Sequence, residues 1–279
     1  MFIGAHQSIS GGIFKSIIRA IDDKCESLQI FVKNANRWYC KPLDLKVKER
    51  FLELAKSFGF NKICVHSSYL INLASNDSNL WYKSIKAVKE ELEICDQLKI
   101  PYYIVHPGFF RDSSLEEGIN RIIKAIEIIY SENLFNADIL LETTAGQGTS
   151  IGYKLEQLYE IISSSRFENK LGICLDTCHM YAAGYDIINE YDNIFSKVVK
   201  LFDSKCKVIH INDTIVSCGS KKDRHEKILE GDLGRDFFRK LINDKRFSYT
   251  LGILETEKDV NSSYRNQINR LYKLRGLYV

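Results

Sequence analysis

The amino-acid sequence predicts a (β/α)8 TIM barrel in a single domain, residues 1–279, with the active site at the C-terminal face of the strands. Two observations predict this fold. Short apolar runs rich in β-branched residues alternate with longer amphipathic stretches along the chain. A polar or ionisable residue also stands just after each apolar run, and no proline- or serine-rich linker separates the repeats. Eight repeats of this kind indicate one closed barrel.

The eight apolar runs have the length of strands that are buried on both faces. They cover residues 2–5, 28–32, 62–65, 102–105, 138–141, 171–175, 206–209 and 250–254. Four other stretches, 80–98, 115–130, 191–202 and 259–274, carry apolar residues at helical spacing. Successive strand ends lie 27 to 45 residues apart, which is enough for a strand, a helix and two loops.

The composition, with 45% hydrophobic and 27% charged residues, is typical of a globular protein with a large core. A net charge of +3 neither supports nor excludes nucleic acid as a partner. No signal segment and no apolar run of roughly 20 residues is visible, so we expect a cytoplasmic protein without membrane contact. The eight cysteines are then expected to be free thiols, and those in or beside apolar runs are expected to be packing residues: Cys25, Cys64, Cys95, Cys174 and Cys206. Cys178 alone, between Asp176 and His179, is also a candidate ligand.

The residues just after the apolar runs are of kinds that bind metals or transfer protons. In chain order they are His6, Lys33, His66, His106, Glu142, Asp176, His210 and Glu255. In a barrel these positions converge at the C-terminal face of the strands. Four of the six histidines stand there, which a random distribution would rarely produce.

Three segments between the strands carry further candidate residues. The stretch 211–232 has no helical pattern and contains Asp223 and His225. The stretch 34–42 contains an arginine beside two aromatic residues, a combination that suits contact with nucleic acid: Arg37, Trp38 and Tyr39. Tyr69 and Leu70 follow His66 and are either core residues or a wedge that enters a base stack.

Nine side chains are candidate metal ligands: His66, His106, Glu142, Asp176, His179, His210, Asp223, His225 and Glu255. One zinc ion takes three or four protein ligands, so nine are enough for two or three ions when a carboxylate bridges. The strand-end ligands suit a close pair of ions, and the three from the loops, His179, Asp223 and His225, suit a third. Imidazole with carboxylate favours zinc, with manganese and iron as alternatives.

Taken singly, several of these residues are compatible with ordinary structural roles. Each histidine alone also suits a hydrogen-bonded core position. Lys33 is either a catalytic cation or a solvated lysine, and His6 is either a donor to a metal ligand or a phosphate contact. The sequence TAGQG at residues 144–148 lacks a Walker pattern and is interpreted as a tight turn beside Glu142.

A cluster of two or three such ions produces a hydroxide at neutral pH and stabilises both the entering and the departing oxygen of a phosphate. The ligand set therefore favours hydrolysis of a phosphate ester. No Ser-His-Asp or Cys-His arrangement competes with it.

Several stretches resemble the endonuclease IV family of apurinic/apyrimidinic-site endonucleases. They are IGAHQSISGG at 3–12, HSSYLINL at 66–73, HPG at 106–108, LETTAGQG at 141–148, DTCHMYAAGYD at 176–186, HIND at 210–213, DRHE at 223–226 and ILET at 253–256. They extend over nearly the whole chain in the order that the family has.

The resemblance implies an enzyme with three zinc ions that acts on double-stranded DNA containing abasic sites. It implies hydrolysis of the phosphodiester 5′ to the abasic site, leaving a 3′-hydroxyl and a 5′-deoxyribose phosphate, and we expect a monomer. The first zinc would bind His66, His106 and Glu142, which bridges to a second held also by Asp176, His210 and Glu255. The third would bind His179, Asp223 and His225.

The resemblance also implies DNA contacts by His6, Arg37, Tyr69 and Leu70, of which the last two would enter the duplex at the lesion. Three positions differ from the family pattern. Asn36 stands where the family tends to have arginine, and Arg37 lies one position later. Phe109 and Phe110 are bulkier than the family's residues, and Leu229 stands where glycine is usual.

Two other functions remain open from the sequence. Barrels of similar shape use divalent metals to move protons on carbohydrates, so a sugar isomerase or epimerase of the xylose-isomerase-like type is the main alternative. A metal-dependent DNA-binding module without catalysis is the second. Three ions per chain would favour the nuclease, and two would favour the isomerase.

Overall fold

The computed structural model describes residues 1–257 and 263–276. Eight parallel strands pair in chain order, and the last pairs with the first, so the sheet closes into a barrel. The strands are β1 Phe2–His6, β2 Ser27–Ile30, β3 Ile63–His66, β4 Tyr102–Val105, β5 Asp138–Glu142, β6 Leu171–Asp176, β7 Cys206–His210 and β8 Leu251–Leu254. The predicted TIM barrel is confirmed.

Helices surround this barrel and cover the outer faces of the strands. Within the described residues they are α1 Lys15–Asp22, α2 Leu45–Phe58, α3 Ser78–Leu98, α4 Leu115–Glu132, α5 Leu155–Ser164, α6 Thr177–Ala183, α7 Tyr191–Phe202, α8 Gly234–Asn243 and α9 Tyr264–Tyr272. None of these helices is long and apolar enough to cross a membrane. Part of the last predicted helix, residues 259–262, lies outside the described residues.

The barrel contains a small apolar layer of its own, apart from the large core between strands and helices. The layer consists of Cys64, Ile104, Leu140, Cys174, Val208, Leu251 and Ile253. Side chains two residues apart in a strand point to the same face. For six of these seven residues, the next inward side chain lies two positions later in the sequence. In every case it is a predicted ligand: His66, His106, Glu142, Asp176, His210 and Glu255.

Strands β1 and β2 follow the same alternation with small residues below and polar residues above. Gly4 is required in β1, because a Cβ there would lie 1.8 Å from the carbonyl oxygen of Ser27. His6 and Gln29 then occupy the upper layer. The sequence pattern predicts Lys33 in this layer, but β2 ends at Ile30 and Lys33 lies beyond it.

Two short antiparallel sheets stand on the C-terminal face. One pairs Gly108–Phe109 with Ser150–Ile151, and the other pairs Asp213–Thr214 with His225–Glu226. The second sheet lies in the stretch 211–232, which contains no helix, as predicted. The buried carboxylate of Asp213 organises this stretch, accepting backbone N–H bonds from Leu229, Gly231 and Leu233, each at 3.1 Å.

The cysteines are free thiols, as expected, and those predicted to be packing residues are buried: Cys25, Cys64, Cys95, Cys174 and Cys206. Cys178 is buried too, and its Sγ donates to the carbonyl oxygen of Arg224 at 3.4 Å. Burial raises the pKa of the Cys178 thiol to about 12. Its Sγ lies within 4.8 Å of ligand atoms of Asp223 and His225, so Cys178 stays a candidate ligand.

Candidate metal centre

Glu142 is the centre of the polar layer at the mouth of the barrel. Its carboxylate is completely buried and has imidazole nitrogens on both oxygens. His66 Nε2 lies 3.0 Å and His106 Nε2 lies 3.1 Å from Oε2. On the other side, His210 Nδ1 lies 3.0 Å and His179 Nδ1 lies 3.4 Å from Oε1. Glu142 is thus in a position to be shared between two neighbouring groups of ligands.

The second group surrounds His210, which is fully buried at the end of β7. Its Nδ1 lies 3.0 Å from Glu255 Oε2 and 3.8 Å from Asp176 Oδ2, in addition to its contact with Glu142. One ligand atom from each of these four residues lies within 4.8 Å of the others. The same spacing joins His66, His106 and Glu142 in the first group.

The third group joins the start of α6 to the sheet at 213–226. Asp176 caps α6 by accepting the backbone N–H of His179 at 2.8 Å, which turns that imidazole towards the mouth. His179 Nε2 lies 3.2 Å from Asp223 Oδ2, and His225 Nε2 lies 3.3 Å from Asp223 Oδ1. His225 Nε2 is also 3.5 Å from Asp176 Oδ2, which links this group to the second.

Two of the histidines have one ring nitrogen hydrogen-bonded to a backbone carbonyl. His66 Nδ1 contacts the carbonyl oxygen of Ser67 at 2.9 Å, and His179 Nδ1 contacts that of Thr143 at 2.8 Å. A carbonyl only accepts, so these nitrogens donate, and in a neutral imidazole the lone pair of Nε2 is then directed at the carboxylates. This is the arrangement in which a protein holds a metal-binding imidazole.

A further observation indicates cations at this site. His225 Nε2 is buried and has no hydrogen-bond partner among the described residues, although two carboxylates lie within 3.5 Å. An unsatisfied buried nitrogen is costly, whereas a metal ion between it and the carboxylates satisfies all three groups. The donor set of imidazoles and carboxylates therefore fits zinc or a similar transition metal.

The carboxylates and imidazoles of the site shift one another's pKa values. Burial alone would raise the pKa of Glu142, but the charges of His106 and His210 outweigh it and hold that pKa well below its usual value. Burial would also lower the pKa of His210, yet the carboxylates of Glu255 and Glu142 raise it to about 9. The opposite shifts show carboxylates that stay ionised and attract positive charge into a dry site.

Gln29 belongs to this site, and the sequence reasoning missed it. It is fully buried, and its Oε1 lies 2.8 Å from His210 Nε2 while its Nε2 donates to Glu255 Oε1 at 2.5 Å. Its Nε2 is also 3.0 Å from His6 Nδ1. The amide thus orients two ligands at once. A polar residue between Leu28 and Ile30 in a buried strand is the signal that could have identified it.

The interpretation of Lys33 as a catalytic or a solvated cation is corrected by the structure. Lys33 is buried, and its Nζ forms an ion pair with Glu91 Oε1 on α3 at 2.8 Å. The chain leaves the barrel after Ile30, which carries Lys33 away from the polar layer.

Three of the four predicted DNA contacts lie around the mouth in two segments, which we call the rim loop (residues 34–42) and the rim turn (residues 67–70). Tyr69 is 66% exposed and its ring packs edge-on against Phe31, with centroids 5.4 Å apart. Leu70 is half-buried, and Arg37 is exposed on the rim loop. His6 is half-buried beside Gln29, below the rim.

The stretch TAGQG leads from β5 into a turn, which lies at residues 148–149 and is closed by the bond from Ser150 N to Gln147 O at 3.0 Å, so the predicted turn begins later than expected. Gly146 and Gly148 have positive φ angles of 81° and 55°, and Thr144 N donates to Gly152 O at 3.3 Å across the turn. Thr143, just before it, accepts the backbone N–H of Asp176 on its Oγ1 at 2.8 Å. Thr143 therefore joins the ends of β5 and β6, where Glu142 and Asp176 stand.

A closed parallel barrel with buried histidines and carboxylates at its C-terminal mouth defines a metal-dependent enzyme of the TIM-barrel class. Residues 19–274 match the family model of xylose isomerase-like TIM barrels. The chain is 42% identical over 259 residues to "Probable endonuclease 4" of Chloroflexus aggregans, covering 91% of each chain. It is 40% identical over 277 residues to the protein of that name from Sulfurihydrogenibium, covering 98% of each. The chain therefore belongs to the endonuclease IV family of DNA-repair nucleases.

Comparison of structures agrees with this assignment. The crystal structure of endonuclease IV from Thermus thermophilus superposes with a TM-score of 0.86 at 28% identity, covering 99% of this chain and 98% of the other. A D-tagatose 3-epimerase-like protein superposes with a TM-score of 0.72 at 19% identity, covering 99% and 96%. The second likeness shows the shared barrel alone, so the predicted sugar isomerase or epimerase has only the fold in its favour.

Proposed function

We propose that this protein hydrolyses the phosphodiester 5′ to an abasic site in double-stranded DNA, leaving a 3′-hydroxyl and a 5′-deoxyribose phosphate. The observation that carries the proposal is that nine candidate ligand side chains converge at the mouth. The first two groups share Glu142, and the contacts of Asp223 with His179 and His225 define a third, which meets the second at Asp176. The names of the relatives support a nuclease, and the ligand groups support three zinc ions per chain.

The residues of the first two groups would hold two neighbouring ions, with the carboxylate of Glu142 between them. Ions at these positions supply a nucleophilic oxygen at neutral pH and stabilise charge on the phosphate. His66 and His106 approach one oxygen of Glu142 and His210 the other, so this single carboxylate would be shared by both ligand groups. Glu142 is for this reason the residue that we assign as central to catalysis.

The third group would place its ion on the open side of the mouth. Asp223 is 40% exposed in its side chain, in contrast to the fully buried Glu142 and Asp176. A phosphate that approaches from solvent would therefore meet Asp223 and His106, whose side chain is 34% exposed, before the buried ligands. An ion held by His179, Asp223 and His225 would help to bind and orient that phosphate.

The rim supplies the surface that would recognise the lesion. A missing base lowers the cost of unstacking the duplex there, and an aromatic ring beside the mouth can fill the gap. Tyr69 is exposed directly above His66, with ring centroids 6.3 Å apart. It is thus placed to hold an abasic nucleotide over the ligands.

The proposal is tested with a duplex that contains one synthetic abasic site and a 5′ label on the damaged strand. Zinc-loaded protein is expected to produce one labelled fragment with a 3′-hydroxyl, which a DNA polymerase extends. The undamaged duplex is expected to stay intact, and a chelator is expected to stop the reaction until zinc is restored. A protein with three zinc ions per chain that leaves the abasic duplex uncut would refute the proposal.

A further inference from the structure

A buried ion pair lies beneath the rim, outside the group of metal ligands. Lys33 Nζ and Glu91 Oε1 are 2.8 Å apart, and their side chains are 5% and 1% exposed. Removing two charges from water costs several kcal/mol per ion, and their attraction repays this cost only when further hydrogen bonds satisfy both groups. The other hydrogen-bond partners of Lys33 and Glu91 therefore indicate which segments the ion pair holds in place.

Both charges bond to the segments that form the rim. Lys33 Nζ donates to the carbonyl oxygen of Trp38, in the rim loop, at 2.9 Å. Glu91 Oε2 accepts the backbone N–H of Ser68, in the rim turn, at 3.3 Å, and the hydroxyl of Tyr103 at 2.9 Å. The ion pair thus connects the rim loop to the rim turn through α3.

The two rim segments are also joined directly, on one carbonyl oxygen. Ala35 O, in the rim loop, accepts Ser68 Oγ at 2.8 Å and the backbone N–H of Tyr69 at 3.2 Å. Ser68 Oγ in turn accepts the backbone N–H of Leu70 at 3.3 Å. The backbone of the predicted wedge is therefore hydrogen-bonded to the loop that carries Arg37.

We propose that the Lys33–Glu91 ion pair locks the rim loop and the rim turn into one unit, which presents Tyr69 and Arg37 together to the damaged duplex. The proposal rests on the proposed function for the identity of the duplex. The coupling of the two segments does not depend on it. Lys33 and Glu91 are positioning residues, since neither reaches the ligands or the rim surface.

The first test compares Glu91→Gln with Glu90→Gln, the same change one position earlier on α3, where the side chain is 30% exposed. Amide hydrogen exchange measured by mass spectrometry is expected to accelerate in both 34–42 and 67–70 in Glu91→Gln, and in neither segment in Glu90→Gln. Faster exchange in only one of the two segments, or in neither, would overturn the coupling.

The second measurement concerns binding and turnover. Glu91→Gln is expected to weaken affinity for the abasic duplex by about tenfold, the loss expected when one aromatic ring no longer stacks at the lesion. Zinc content and kcat at saturating duplex are expected to match those of the Glu90→Gln variant, because the ligands are untouched. A loss of kcat with unchanged affinity would contradict a positioning role.

A double variant, Lys33→Met with Glu91→Leu, separates positioning from stability. Apolar replacement of a buried ion pair usually preserves stability, so its Tm is expected to stay near that of the parent. Exchange in both segments is still expected to be fast and affinity low, since the bonds to Trp38 and Ser68 are lost. A double variant that behaves like the parent in both respects would overturn the proposal. If the parent itself fails to bind the abasic duplex, the proposed function fails, and the exchange experiment still decides the coupling.

Discussion

The side chains at the mouth of the barrel form two rings that the folded chain holds in different ways. The inner ring consists of the candidate ligands at the strand ends, and it is largely buried and internally bonded: Glu142 alone has four imidazole nitrogens within 3.4 Å. The rim is exposed. Tyr69 is 66% exposed, and no hydrogen bond or ion pair among the described residues holds the side chain of Arg37.

The inner ring is organised before a substrate arrives, whereas the rim gains its remaining contacts when the substrate binds. Groups fixed in advance around a reacting centre cost no reorganisation during the reaction. Groups on an exposed rim gain their partners only when the duplex binds. Changes in the inner ring should therefore reduce metal content and turnover together, whereas changes in the rim should reduce affinity and leave the metals in place.

The largest effect is expected from Glu142→Ala. The variant removes the carboxylate shared by two ligand groups, so both lose a negatively charged ligand at once. Nicking of an abasic duplex is expected to fall below detection, and zinc per chain is expected to fall by about two ions. Metal analysis and a nicking assay measure both effects. Glu160→Ala, on the exposed face of α5, is the control and should retain both properties. Substantial residual turnover in Glu142→Ala would contradict its shared role.

The inner ring was accessible from the sequence because strand geometry is regular. Apolar runs of strand length end in the ligands, and an alternation of two residues places Cys174 and Asp176, or Val208 and His210, on the same inward face. Each ligand could therefore be located from its own strand.

The prediction that Lys33 belongs to the inner ring was wrong because it relied on the length of the apolar run. The apolar residues Phe31 and Val32 extend the second run beyond the strand, which ends at Ile30, so the residue after the run is the wrong one to choose. Counting by twos from Ser27 gives Gln29, which the structure places in the layer. The composition locates the apolar run, but only the bounds of the strand determine which of its residues point inward.

The bonds beneath the rim had no comparable signal in the sequence. The Lys33–Glu91 pair joins residues 58 positions apart, and nothing periodic connects a residue after β2 to one on α3. The roles of Arg37, Tyr69, Leu70 and His6 towards DNA stay predictions, because they depend on a partner that is external to the chain.

The second largest effect is expected from Gln29→Leu. The leucine has a similar volume but loses the bonds that orient His210 and Glu255. Loss of such a partner typically lowers metal affinity by about tenfold to a hundredfold. Competition with a chromophoric chelator measures the zinc affinity, and Gln97→Leu, exposed on α3, is the matched control. If both variants bind zinc like the parent, Gln29 does not belong functionally to the inner ring.

A smaller effect, on affinity for DNA and not on zinc content, is expected from Tyr69→Ala. Stacking of a base on an aromatic ring is worth about 1–3 kcal/mol, so affinity for the abasic duplex is expected to fall about tenfold. Zinc content is expected to stay unchanged, because the Tyr69 side chain belongs to none of the ligand groups. Tyr249→Ala removes a ring that is 90% exposed just before β8, at the opposite end of the barrel, and should bind the duplex normally. Loss of zinc in Tyr69→Ala would remove the distinction between rim and inner ring.

The smallest effect is expected from Arg37→Ala, and it sharpens the description of the rim. Since Arg37 lies one position after Asn36, where the family pattern has its arginine, we expect it to contact a phosphate and not the lesion. Its loss should weaken binding about threefold and reduce the slope of log affinity against log salt by about one. Arg37→Lys keeps the charge and should restore both values, as measured by fluorescence anisotropy over a salt series. A larger loss with an unchanged salt slope, not restored by lysine, would instead place the planar guanidinium of Arg37 inside the duplex beside Tyr69.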